Sequence, residues 1–209
     1  RVDDIGFLPL QECGVPGFSV QGMTNPARWN EDGAGNPWFW RYKAVESGRV
    51  VYGKFFRRHV GFVSKECLPA FANLRRGGRS LEELACSKEL SSDSKRILEL
   101  LSEGGELSSP ELRTMLEIDA PRTLDAALAE LTMRFAVVLG AFRRRRNRAG
   151  RPVGWPVGVW RIPESIPGIP PLSVSETPEE SLARLTRRCV GRLPRISEER
   201  LERLLRSLV

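Results

Sequence analysis

Residues 121–162 read PRTLDAALAELTMRFAVVLGAFRRRRNRAGRPVGWPVGVWRI, a stretch in which one regular apolar pattern is followed by another. Behind Pro121 the leucines recur at positions i, i+4 and i+7, which is the spacing of one face of an α-helix. Pro121 itself suits a first turn, because the first amide groups of a helix have no intrahelical acceptor. We therefore predict a helix after Pro121. Its buried residues are Leu124, Leu128 and Leu131.

The second part of this stretch is β-prone and is interrupted by charge. Residues 135–142 and 153–162 are rich in valine and aromatic residues, which predicts two strands. Residues 143–151, called here the arginine segment, contain six arginines and no acid, so we predict an exposed loop in which Gly150 gives conformational freedom. Its arginines are Arg143, Arg144, Arg145, Arg146, Arg148 and Arg151.

Two shorter helices are predicted upstream of this stretch. The first covers residues 93–103 and ends at Gly104. The second has Ser109 as its N-cap and Pro110 at its first helical position. Their apolar faces consist of Ile97, Leu98 and Leu101, and of Leu112, Met115 and Leu116. Three helices followed by a long-looped hairpin predict a winged helix-turn-helix domain over about residues 92–162.

The first ninety residues mix turns, short strands and short helices. Residues 49–56 and 60–63 predict two strands. The basic turn expected between them consists of Arg57, Arg58 and His59. A short helix is expected to open at Ser64 and to bend or end near Pro69. Ser80 and Glu83 predict a capping box for another helix.

Three aromatic residues before the first of these strands permit two hypotheses. Alternation places Trp38 and Trp40 on one face of an extended segment, which favours a role in the core. The competing hypothesis is that both tryptophans, with Phe39, stack on nucleic-acid bases.

The C-terminal part predicts a connector and two helices. Residues 163–178 hold five prolines, which is typical of a semi-rigid connector. Thr177, Pro178 and Glu180 then favour the start of a helix that ends at Gly191. Ser197 predicts the cap of the second helix, and Ile196 with Leu201 a hydrophobic staple across its start. The second helix presents an apolar stripe that must pack on its own chain or on another: Leu201, Leu204, Leu205 and Leu208.

The positive charge of the chain is concentrated in one segment. The whole sequence has a net charge of +7, and residues 121–162 contain nine arginines against Asp125 and Glu130. Since nine minus two is seven, the other residues are neutral as a set. A localised excess of this kind indicates a polyanionic partner.

Composition indicates a globular cytoplasmic protein and gives little sign of catalysis. The chain is 41% hydrophobic, and no apolar run reaches the roughly 20 residues that span a bilayer, so no membrane partner is expected. Its four cysteines lie far apart and its one histidine is His59, which argues against a metal site. The residues therefore predict neither a cofactor nor a catalytic cluster.

The arginine segment is the strongest functional signal. Arginine binds phosphate through two parallel hydrogen bonds, so duplex DNA is the expected partner. The alternative is that the arginine segment is a solvated loop, or a loop whose arginines pair with acidic residues elsewhere in the fold. On the exposed face of the third helix, only Arg122 suits contact with base edges. The whole face is close to neutral: Arg122, Thr123, Asp125, Ala126, Ala129 and Glu130.

Three stretches carry a resemblance to a known family: NPWFWRYKAVESGRVVYGKFFRRHVGFVSKECLPAFANLRR, ALAELTMRFAVV and GWPVGVWRIPE. The chain resembles, over most of residues 5–190, bacterial relatives of the AlkZ-type crosslink-repair DNA glycosylases. This resemblance implies winged-helix units and DNA binding. The glycosylases depend on a Gln-x-Gln or Gln-x-Asp motif, whereas the only glutamines here are Gln11 and Gln21, in QEC and QGM. No catalytic residue is therefore assigned.

We predict an α+β protein with three parts: a mixed α/β part (1–90), a winged-helix domain (91–163), and a connector with C-terminal helices (164–209). The leading hypothesis is non-enzymatic DNA binding through the arginine segment and Arg122, in repair or regulation. One alternative is a glycosylase-type repair enzyme with a divergent active site. Another is a protein-interaction module, with the leucine stripe as a dimer interface.

Overall fold

The computed structural model describes residues 2–56, 59–172, 175–193 and 196–208. Its α-helices are α1 (Val2–Ile5), α2 (Val20–Met23), α3 (Pro37–Glu46), α4 (Leu68–Arg76), α5 (Leu81–Cys86), α6 (Ser92–Gly104), α7 (Ser109–Leu116), α8 (Pro121–Met133), α9 (Pro178–Cys189) and α10 (Glu198–Leu208). Its strands are β1 (Phe7–Pro9), β2 (Val50–Phe56), β3 (His59–Ser64), β4 (Glu106–Ser108), β5 (Val138–Arg146) and β6 (Pro152–Arg161). Arg57 and Arg58 of the predicted basic turn lie outside the described residues.

The fold is α+β, as predicted, and is organised around one antiparallel sheet. The strand order is β1-β3-β2-β5-β6-β4. Strands β2 and β5 meet at the pair Tyr52–Leu139, which joins the N-terminal hairpin to the arginine-bearing hairpin. None of the helices in the described ranges is long and apolar enough to cross a membrane.

Local sequence signals explain most helix boundaries. The Ser80 hydroxyl accepts a hydrogen bond from the amide of Glu83, and the Glu83 carboxylate accepts one from the amide of Ser80, so the predicted capping box of α5 is confirmed. Helix α7 is capped by Ser108 and not by Ser109, which moves its start by one residue. Pro69 lies in the first turn of α4 and does not end a helix, because a proline there removes no intrahelical hydrogen bond.

Two apolar clusters flank the sheet. The first lies under β1, β2 and β3, where α4, α9 and α10 cover it. The second is built from α5 to α8 and includes all the predicted buried leucines of α8. Met115 was predicted to belong to it but is 54% exposed, because Leu112 and Leu116 already fill the buried face of α7. Trp160 of β6 packs against both clusters.

The C-terminal helices complete the first cluster. Thr177 and Glu180 form the capping box of α9, as the sequence predicts. Leu201 and Leu205 of α10 are fully buried within the same chain, whereas Leu204 is partly buried. The side chain of Leu208 is not among those described. Packing within the same chain therefore accounts for the two most buried leucines of the stripe.

Candidate nucleic-acid interface

The arginine segment is more ordered than the loop that the sequence predicts. Arg143 to Arg146 continue strand β5, and Arg145 and Arg146 pair with Val153 and Pro152 of β6. Only residues 147–151 form the turn. There the side chain of Asn147 accepts hydrogen bonds from the amides of Ala149 and Arg151, both at 3.0 Å. Arg143 to Arg146 are thus presented on a stiff ribbon, since ladder hydrogen bonds fix the backbone, whereas Arg148 and Arg151 lie in the turn.

One arginine of the segment is already paired with acids. The guanidinium of Arg143 lies 2.9 Å from the carboxylate of Glu106 and 3.5 Å from that of Glu111. Hydrogen bonds from Ser108 hold the pKa of Glu111 below its ordinary value, so this carboxylate stays ionised. Arg143, which the sequence placed among the phosphate-binding residues, is therefore partly neutralised by its own chain.

The other arginines of the segment face solvent. Arg146 donates a hydrogen bond to the carbonyl of Gly150 at 2.7 Å, which leaves part of its guanidinium accessible. Arg144, Arg145, Arg148 and Arg151 are exposed and have no acidic partner within the described part of the chain. Four such cations at the end of one hairpin repel one another, and a polyanion relieves this repulsion.

The outer face of α8 is less polar than the sequence suggests. Arg122 is exposed in its first turn, as predicted. Glu130, however, is half-buried and accepts hydrogen bonds from the hydroxyls of Ser94 and Ser91 at 2.5 and 2.7 Å. Its pKa is lowered, because these hydrogen bonds outweigh the opposing effect of burial. Glu130 therefore helps to hold the start of α6 and is only partly available to a ligand.

The tryptophans of α3 lie where the sequence did not place them. The alternation argument is wrong, because Asn36 caps a helix by accepting a hydrogen bond from the Trp38 amide at 2.8 Å. Residues two apart on a helix point about 200° apart around its axis, so Trp38 and Trp40 occupy different faces. Each is 37% exposed, and neither belongs to the core. Trp40 borders a separate, mostly apolar cavity of about 470 Å³.

One face of α3 packs against the base of the arginine-bearing hairpin. The ring of Tyr42 meets that of Phe142 edge-on, with centroids 4.7 Å apart. The guanidinium of Arg41 lies 3.6 Å from the centre of the Trp38 ring. Farther along the hairpin, Phe39 stacks on Trp155 with centroids 5.4 Å apart. Phe39 and Trp155 are called here the aromatic platform.

Sequence reasoning missed Trp155, which is 66% exposed beside the arginines. The signal that would have found it is its position in a Gly-Trp-Pro triplet directly after the arginine segment. A groove of about 720 Å³ runs nearby, between α3 and the hairpin. Its charged lining residues are Glu46, Lys65, Arg144 and Arg161.

Groups with metal-binding or nucleophilic chemistry are dispersed. Among the described residues, no three His, Cys, Asp or Glu side chains lie close enough to hold a metal ion. All four cysteines are free, and Cys86 is exposed. Burial raises the pKa of the Cys189 thiol and that of the Tyr52 hydroxyl to about 12, so both remain protonated at neutral pH.

Comparison with known proteins identifies the family. No curated protein matches the chain significantly. Among solved structures, the DNA glycosylase AlkZ of Streptomyces sahachiroi aligns with a TM-score of 0.49 and 13% identity, over 97% of this chain and 57% of that one. The chain thus spans little more than half the length of that protein. A family model described as AlkZ related matches residues 1–206. Because this match extends over nearly the whole sequence, the chain belongs to the AlkZ-related family.

Proposed function

We propose that residues 91–163 form a winged helix-turn-helix domain that binds duplex DNA without catalysing a reaction on it. In this proposal α6, α7 and α8 are its three helices, and the hairpin of β5 and β6 is its wing. The order of these elements supports the proposal, as does strand β4, which pairs with β6 at one edge of the six-stranded sheet. Membership of the AlkZ-related family agrees with a role in DNA repair.

The observation that carries the proposal is the set of exposed arginines that have no acidic partner among the described residues. Each phosphate contact releases a condensed counterion, so log K falls with log salt at a slope of about −0.9 per contact. Four contacts predict a slope of roughly −3.6, which is about a 150-fold loss of affinity between 50 and 200 mM salt. Because backbone contacts do not read sequence, this binding should be weakly sequence-specific.

The test is fluorescence anisotropy with labelled duplexes across a salt series. A variant with alanine at Arg144, Arg145, Arg148 and Arg151 should bind all duplexes weakly and show a much flatter slope. A matched control removes the same charge from exposed arginines elsewhere: Arg28, Arg187, Arg200 and Arg203. If the arginine-segment variant keeps the affinity and slope of the original protein, these arginines are only solvated and the proposal fails.

Arg122 provides a second arm of the same experiment. It is the exposed cation at the start of α8, so we propose it as the residue that contacts base edges. Arg122→Ala should cost about 1–3 kcal/mol on a preferred sequence and little on others, in contrast to the uniform effect of the arginine-segment variant.

The non-enzymatic part of the proposal rests on the missing glutamine motif. These 209 residues contain no Gln-x-Gln or Gln-x-Asp. We therefore expect no abasic sites above a no-protein control when the chain is incubated with alkylated or crosslinked DNA. Base release that disappears in Gln11→Ala or Glu12→Ala would instead establish a glycosylase with a divergent active site.

A further inference from the structure

Trp155 is an exposed aromatic residue that the backbone of the hairpin holds outward. Arg143 pairs with Val157 and Arg145 with Val153, so residues 154–156 of β6 stand opposite Arg144 alone. This bulge begins at Gly154, whose φ of 68° lies in the left-handed region that favours glycine. Bulges bend a strand and redirect its side chains. The large exposed area of Trp155 therefore follows from a specific backbone feature and not from a frayed end.

Phe39 supports Trp155 from one side only. The two rings are nearly parallel, with an angle of 16° between their planes. Phe39 belongs to α3, which is anchored to the same hairpin through Tyr42 and Phe142. The platform is thus a stack of two rings in which Trp155 is still 66% exposed. An unsupported exposed tryptophan would lose rotational freedom on binding, whereas this one is already oriented.

The charge around the platform selects the class of ligand. Arg144 lies opposite the bulge, and Arg145 pairs with the residue that precedes it. A planar apolar surface next to an exposed guanidinium, that of Arg144, matches one stacked base and a flanking phosphate. In a fully paired duplex the faces of the bases are already stacked on one another, so the platform has no free face to contact there.

We propose that the aromatic platform stacks on an unpaired nucleobase of DNA, with Arg144 binding an adjacent phosphate. This inference rests on the proposed DNA binding and names its preferred substrate: DNA that contains a gap, a bulged base or a single-stranded stretch. Stacking on an aromatic side chain corresponds to about a 5- to 150-fold gain in affinity per base.

The experiment compares an intact labelled duplex with the same duplex carrying a short central gap. The two differ little in phosphate number, so the electrostatic part of binding is nearly matched. The original protein should bind the gapped DNA about 5- to 150-fold more tightly. Trp155→Ala should remove this preference but keep the affinity and salt slope on the intact duplex, and Trp155→Phe should retain most of it. Because Trp155 is largely exposed, these variants should fold normally, which circular dichroism checks.

Trp40→Ala is the matched control, since Trp40 is another exposed tryptophan. It lies on a different face of α3 from Phe39 and borders a cavity that the aromatic platform does not line. It should keep the preference. Quenching of tryptophan fluorescence by gapped DNA should also be smaller in Trp155→Phe than in the original protein. Equal affinity for both DNAs, or equal losses on both in Trp155→Ala, overturns the inference while DNA binding itself stands. If neither DNA binds at low salt, the proposed function and the inference both fail.

Discussion

At the scale of single residues, Glu89 shows how local charge pairing sets protonation. The guanidinium groups of Arg79 and Arg134 lie 2.7 and 2.6 Å from its carboxylate. Their hydrogen bonds lower the pKa of Glu89 to about 2. A carboxyl group whose folded-state pKa is depressed stabilises the fold above its ordinary pKa and loses this contribution as pH falls toward the folded-state value.

We therefore predict that the stability advantage of the original protein over Glu89→Gln is full at pH 6 and shrinks between about pH 5 and 2. Urea denaturation at a series of pH values measures this difference. Glu202→Gln is the control, because Glu202 pairs with one exposed arginine, Arg206. A pH-independent difference for the Glu89 variant would show that the paired arginines do not shift its ionisation.

At the scale of elements, α10 tests whether the leucine stripe serves its own chain. Leu201 and Leu205 are fully buried in the first cluster, where α10 packs against α9. Leu201→Ala should lower the free energy of unfolding by about 2–5 kcal/mol, because it removes buried methyl groups and leaves a cavity. The exposed Arg203→Ala on the same helix should change it little.

Truncation after Pro194 extends this test. We expect a lower melting temperature and an unchanged oligomeric state, measured by calorimetry and by sedimentation. An unchanged melting temperature together with the conversion of a dimer into a monomer would instead assign the stripe to a partner copy.

At the scale of the whole molecule, the two apolar clusters share structural elements. Phe135 belongs to the first and Ala136 to the second, and Trp160 contacts both. Arg76 of α4 is 3% exposed and donates hydrogen bonds to the carboxylate of Glu164 and to the carbonyl of Phe135. The division into residues 1–90, 91–163 and 164–209 stays a prediction. Arg76 lies in the first of these parts, Phe135 in the second and Glu164 in the third, so the hydrogen bonds of Arg76 connect all three.

We predict one cooperative unfolding transition for the described fold. Leu182→Ala in the first cluster and Leu112→Ala in the second should each lower hydrogen-exchange protection in both clusters by similar amounts, because the shared sheet opens as a unit. Protection lost only in α6, α7 and α8 after Leu112→Ala would instead identify the second cluster as an independently folding domain.

The sequence by itself determined the elements that local chemistry specifies. Leucine spacing predicted α8, reciprocal Ser/Thr and Glu side chains predicted the caps of α5 and α9, and β-prone stretches predicted the arginine-bearing hairpin. Each of these signals involves residues that are close together in the sequence, so it does not depend on what packs nearby in the fold. The excess of positive charge in residues 121–162 was also evident, because it follows from the residue types alone.

Only the tertiary structure decided which of these residues form a surface. The misassignment of Trp38 and Trp40 has a local cause instead, because Asn36 and Pro37 already favour the start of a helix over an extended segment. The pairing of Arg143 with Glu106 joins residues 37 positions apart. The platform joins Phe39 to Trp155, which are still farther apart in the chain. Such contacts depend on the register of β5 and β6 and on how α3 lies across them, and no local pattern encodes either.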